Sequence, residues 1–184
     1  MALEQQLVSL DEFERFIAQS ENRDYSFELI NGEIVKKMPT EEHGVIAGVI
    51  VTEFNIYLKS NPIGRAGVEI RHRVPEDRQN DLIPDVSFIS HERAQALTRK
   101  GAVPQMPDLV VEIKSPDESS IGLREKALYY LKNGARLVWL LFPAKRQVEV
   151  YTEDAVQTLG IDHQLDGADV LPGFTLPVRD VFEI

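Results

Sequence analysis

The chain has 184 residues, with 30 acidic and 20 basic side chains and a formal net charge of −10, and this length predicts one domain over residues 1–184 with a substantial buried core. It contains no cysteine, which excludes disulfides, thiolate nucleophiles and cysteine-bound zinc, and fits a reducing cytosol. The acidic balance argues against a generic nucleic-acid binder, because phosphate neutralisation needs clustered Lys and Arg. Arg71, Arg73, Arg78, Arg93, Arg99 and Lys100 nevertheless leave room for a local basic patch. No apolar run approaches the ~20 residues of a membrane span, and MALEQQLVSLDEFERF lacks the basic start and apolar block of a signal peptide. The expectation is a cytoplasmic protein with no membrane partner.

Ser9 followed by Glu12 has the spacing of a capping box and predicts a short amphipathic helix to about Gln19. In YSFELI, Tyr25, Phe27 and Leu29 alternate with Ser26 and Glu28, the period of a half-buried strand. Asn31-Gly32 then predicts a two-residue hairpin into EIVKKM. Beyond Pro39, the residues Val45, Ile46, Val49, Ile50 and Phe54 recur at helical spacing and predict a long core-facing helix. GVEIRHRV (67–74) predicts a strand, the polar PEDRQNDLI a loop, and PDVSFIS (84–90) another strand. A weak helical pattern covers about His91 to Thr98.

DLVVEIKS (108–115) is the strongest strand, and SSIGLREKALYYLKNG after it reads as a helix stopped at Gly134. RLVWLLF and QVEVYTE predict strands joined around residues 143–146, and the tail predicts short strands around AVQTLG and ADVLP with a final turn near Val181. A strand–helix–strand crossover sets two strands parallel and covers both of their faces. The hairpins make the rest antiparallel, so the expected fold class is α/β, a mixed sheet flanked by helices.

Within DLVVEIK, side-chain alternation puts Asp108, Glu112 and Lys114 on one face. Asp108 and Glu112 are separated by about 13 Å at ~3.3 Å per residue, too far to share one cation. Asp117 follows the end of the strand. Asp85, of Pro84-Asp85, opens a different strand, and if that strand lies ~4.8 Å away beside DLVVEIK, Asp85 and Glu112 meet closely enough to grip one divalent ion. Mg²⁺ or Mn²⁺ there would polarise a phosphate and acidify a water, with Lys114 beside that water to stabilise charge. Taken alone, Glu112 and Lys114 also read as an ion pair at a sheet edge. Glu69 is a rival acidic residue, read as paired with Arg71 and Arg73.

The order Pro84-Asp85 … Glu112-Ile113-Lys114 resembles the signature of the PD-(D/E)XK nuclease superfamily, and the chain is similar to its Uma-type endonuclease family. FELINGEIVKKMP, His43-Gly44, PDVSFIS, PDLVVEIKSP, Lys126…Tyr130…Gly134, Trp139…Pro143 and VEVY carry this likeness in sequence order. The resemblance implies a restriction endonuclease-like core, Glu28 as a further acidic site residue, and the Ile113 backbone carbonyl as an extra metal ligand. It gives His43, Lys126 and Tyr130 supporting roles. The chain departs from the pattern at Gly122, Leu137-Val138 and Phe142, none of them a ligand. The implied function is Mg²⁺- or Mn²⁺-dependent hydrolysis of DNA by a homodimer. A non-catalytic interaction module that keeps the same fold is the alternative, and RNA is a rival substrate.

Overall fold

The computed structural model describes residues 7–183. Helix α1 (Leu10–Ile17) opens on the expected capping box: the Ser9 side chain accepts from the Glu12 amide, and the Glu12 carboxylate accepts from the Ser9 amide at 2.8 Å. Strands β1 (Phe27–Ile30) and β2 (Glu33–Lys36) form the hairpin. Asn31 and Gly32 both take positive φ, 50° and 81°, as a turn matching the strand twist requires. Thr40 caps α2 (Glu41–Ser60), which buries Ile46, Ile50 and Phe54.

The central sheet has six strands: β3 (Gly64–Val68), β4 (Val86–Ser90), β5 (Leu109–Ile113), β6 (Leu137–Phe142), β7 (Gln147–Tyr151) and β8 (Val156–Leu159), in that spatial order. Only β5 and β6 run parallel, joined over the sheet by α3 (Ser120–Lys132); every other pair is antiparallel. The mixed, helix-flanked sheet expected from the sequence is therefore the fold. Alternation divides the core. Leu109, Val111, Ile113, Trp139 and Leu141 pack with α2 and with α4 (Val178–Phe182), whereas Val110, Val138 and Leu140 pack under α3 with Leu123, Ala127 and Tyr130. Among the described residues, no helix is long and apolar enough to cross a membrane.

Three local expectations change. The strand expected at 67–74 lies earlier, at Gly64–Val68, because Glu69 turns into the left-handed region (φ 49°). The chain beyond it forms isolated bridges, His72 with Leu82 and Val103 and Asp81 with Leu29. The segment after His91 forms no helix. The Ser90 carbonyl accepts from both Arg93 and Ala94, and the Arg93 side chain then leaves to bind Asp108 and the Met106 carbonyl. In the tail, residues 168–172 are a turn rather than a strand, closed by the short hairpin of β9 (Gln164–Asp166) and β10 (Thr175–Pro177).

Candidate active site

Strand β5 is buried along its whole length, yet its penultimate residue is Glu112, only 3 % exposed. A carboxylate in such a place requires partners. Glu112 lies on the α3 side of the sheet, where Tyr130 O–H donates to its Oε1 at 2.6 Å and Lys126 Nζ stands 2.9 Å from the same oxygen. Lys126 and Tyr130 are four residues apart on α3, so one helix face delivers both. Lys126 also donates to Glu28 Oε2 and Oε1 at 3.1 and 3.2 Å, and Glu28 Oε1 accepts the Ile83 amide at 2.7 Å.

Asp85 immediately precedes β4. Val86 pairs with Val111, so the antiparallel register extended by one residue sets Asp85 opposite Glu112. Asp85 Oδ2 accepts the Ile113 amide at 2.7 Å. Its Oδ1 accepts from Lys37 Nζ at 2.7 Å and lies 2.9 Å from His43 Nε2. Lys37 in turn donates to the Ile83 carbonyl at 2.6 Å. The result is three buried carboxylates, from β1, β5 and the entry to β4, laced by two lysines, a histidine and a tyrosine. They border a cavity of about 250 Å³.

The electrostatics separate the two carboxylates of the strand pair. Burial pushes the Asp85 carboxyl up, but the His43 hydrogen bond and the Lys37 and His43 charges outweigh it and hold the group down at about 2. Burial also pushes Glu112 up. Lys126 opposes that rise, but the Asp85 and Glu28 carboxylates add to it, and Glu112 stands at about 7. Burial by itself would discharge Lys126, yet Glu112 and Glu28 keep its ammonium protonated. One cation serves two carboxylates, so the lysine is over-provided while Glu112 is under-neutralised.

The structure thus brings Glu28, His43, Asp85, Glu112, Lys126 and Tyr130 into one cluster. Glu28 is not solvated on the open face of the hairpin; it is 3 % exposed and points inward. Lys114 is placed differently. Its ammonium donates to the Ser115 and Pro116 carbonyls at 2.9 and 3.4 Å and touches neither carboxylate. Asp108 belongs to the other end of β5, where it accepts from the Ser90 amide and from Arg93, both at 2.8 Å. Glu69 is exposed; Arg71 and Arg73 pair instead with Glu14 and Asp81.

Sequence reasoning missed Lys37. Its signal was alternation: Glu28 pairs with Val35, and Lys37, two residues on, shares the face of Val35.

The donors suit a hard divalent cation. Asp85, Glu112 and the Ile113 carbonyl supply only oxygen. Ile113 lines the cavity, and its N–H is held by Asp85 Oδ2. Glu112 Oε2 accepts no hydrogen bond among the described residues. The described residues hold no group of three or more His, Asp or Glu side chains arranged to ligate a metal. Mg²⁺ accepts this arrangement, since it is usually bound by one or two carboxylates and completed by water and substrate phosphate.

A family model described as "Uma2: Putative restriction endonuclease" matches residues 10–179. The crystal structure of a putative nuclease belonging to DUF820 from Anabaena variabilis superposes with a TM-score of 0.80 at 26% sequence identity, covering 96% of this chain and 98% of that one. No curated protein matches the chain. The chain belongs to the Uma2 putative restriction endonuclease family.

Proposed function

We propose that the protein is a Mg²⁺- or Mn²⁺-dependent endonuclease that hydrolyses DNA phosphodiesters at the Asp85–Glu112 pair. The observation that carries this reading is the register of β4 against β5, which sets two carboxylates opposite each other at a cavity, one ionised and one under-neutralised. Asp85, Glu112 and the Ile113 carbonyl would hold the cation, with Glu28 beside them. When bound, the cation supplies Lewis acidity toward the phosphodiester and lowers the pKa of water.

The chain's own groups do the rest. Tyr130 and Lys126 fix the Glu112 carboxylate through its Oε1 and leave Oε2 without a hydrogen bond among the described residues. The Ile113 amide and His43 hold Asp85 in place. Lys37 places its ammonium on Asp85 Oδ1, and Lys114 lines the adjoining cavity. Water adds to phosphorus and gives up a proton to solvent, the P–O bond to the leaving sugar oxygen breaks, and that oxygen takes a proton from a second water.

A second reading, a non-catalytic interaction module, draws on one observation: every site carboxylate already has a resident cationic partner. Plasmid nicking separates the two. Wild type with Mg²⁺ or Mn²⁺ is expected to convert supercoiled DNA to nicked circles, while Glu112→Ala and Lys114→Ala lose most of that activity; a labelled RNA run in parallel reports its share. Equal cleavage by all three proteins means contamination and sinks the catalytic assignment. Cleavage of both strands calls for a homodimer, which sedimentation equilibrium tests.

A further inference from the structure

We propose that a second cavity, beside the carboxylates, is a phosphodiester subsite in which Lys114 and Lys145 hold the DNA phosphate next to the one that is cut. This rests on the nuclease reading above and extends it to the track of the substrate strand. The cavity measures about 400 Å³ and shares the wall formed by Thr40, His43, Ile113, Ser115 and Pro116 with the carboxylate cavity. A strand that places one phosphate at Asp85 and Glu112 therefore continues directly into it. The volume is within the ~300–1,000 Å³ of small-molecule sites, room enough for one nucleotide unit.

Its charge is the reverse of its neighbour's. Among the described residues, the Lys114 ammonium is held only by two backbone carbonyls. Lys145 stands on the turn after β6 with its ammonium 5.6 Å over the Phe142 ring. Neither lysine has a carboxylate partner among the described residues, although the chain carries an excess of acid. Two helices also begin here. Thr40 and Glu42 bring the amino end of the 20-residue α2, and Ser120 is the first residue of the 13-residue α3. Ser119 Oγ caps the Ile121 and Gly122 amides and leaves that of Ser120. Helix amino ends carry partial positive charge and unsatisfied N–H groups that suit phosphate oxygens. The opposing charge is Glu42, exposed at the rim. Phe142, Pro143 and Pro116 give an apolar wall for the sugar.

This placement explains why Lys114 lies away from the carboxylates although it follows Glu112 on the same strand. Its work is on substrate phosphate, and the ammonium at the carboxylates is supplied by Lys37.

The test is binding of a fluorescent duplex oligonucleotide by anisotropy in EDTA, across ~50–200 mM salt, with wild type, Lys145→Ala, Lys114→Met and Lys132→Ala. Lys145 and Lys132 are exposed, so those variants keep the fold, and thermal unfolding checks Lys114→Met. Removing one cation from a phosphate lowers the slope of log affinity against log salt by about 0.9. We expect Lys145→Ala and Lys114→Met each to reduce the slope by about that amount and the affinity by about five- to tenfold at ~0.1 M salt, and Lys132→Ala to match wild type. Unchanged affinity and slope in both site variants of a wild type that does bind and nick DNA overturn this subsite alone. Wild type that neither binds DNA here nor nicks it with Mg²⁺ or Mn²⁺ overturns the nuclease reading with it. Inorganic phosphate forms a third arm: weaker phosphate binding in the variants with unaltered DNA binding assigns the cavity to free phosphate and overturns the proposal.

Discussion

Lys126→Met removes the charge at the centre of the cluster while keeping much of the side chain's volume. The ammonium lies within 3.2 Å of three carboxylate oxygens, and the groups involved are 3 to 5 % exposed. Removing one partner of a buried ion pair leaves uncompensated charge and typically costs ~3–5 kcal/mol. The pH dependence identifies the cause. Glu112 stands at about 7 even with Lys126 present, and without the lysine it rises further. An acid whose folded pKa exceeds its unfolded value of about 4.5 binds more protons when folded, so stability falls as pH rises between the two values. The loss in the variant is therefore greatest at pH 8 and much smaller at pH 5. Urea unfolding in EDTA measures it: with m near ~3 kcal/mol/M for a chain of this size, the midpoint at pH 8 should drop by about 1–1.7 M. The double variant Lys126→Met/Glu112→Gln should recover part of the drop. A loss below about 1 kcal/mol, or an equal loss at both pH values, would refute the assignment of Lys126 as the counter-ion of two buried carboxylates.

Lys37→Met removes the ammonium that occupies Asp85 Oδ1; calorimetric titration of the metal-free protein should show Mn²⁺ binding tighter by about tenfold, or ~1.4 kcal/mol, and unchanged or weaker binding would show that Lys37 does not compete for that oxygen. Asp108→Asn breaks the buried contacts to Arg93 and the Ser90 amide and should cost about 2–4 kcal/mol in unfolding experiments while the folded variant binds Mn²⁺ as wild type does; failure to bind the metal would move Asp108 into the site. Burial lowers His72 to about 4, and its ring faces the Gln105 carbonyl and the Ser87 hydroxyl. Its folded pKa lies below the unfolded ~6.5, so the unfolded chain takes up the proton first and stability declines as pH falls from about 6.5 toward 4, by up to ~3 kcal/mol. His72→Gln should flatten that part of the stability profile, and an unaltered slope there would point to other groups.

Much of the architecture was legible because local chemistry and tertiary packing agree. Ser9 with Glu12, Asn31-Gly32 and the apolar run 109–113 each have one favourable local solution, and the crossover α3 follows from the parallel pairing of β5 with β6. Local pattern misleads where a long-range contact overrides it. The pattern at 91–98 is weakly helical, but Arg93 is drawn to Asp108 fifteen residues on. The β-prone 67–74 is interrupted at Glu69, and its continuation bridges to Leu82 and Val103 instead of extending β3.

The sequence by itself nominated Asp85 and Glu112 as partners. Strand rise alone rejects Asp108, because it follows from covalent geometry, and the antiparallel register of β4 against β5, which the fold supplies, sets Asp85 opposite Glu112. Only the tertiary structure decided which cations serve them. Lys37, Lys114 and Lys126 are equivalent in composition, and a four-carbon stem can reach in many directions. Folding the hairpin against the 81–83 segment brings Lys37 to Asp85, docking α3 on the sheet buries Lys126 between Glu28 and Glu112, and the end of β5 releases Lys114 into the neighbouring cavity.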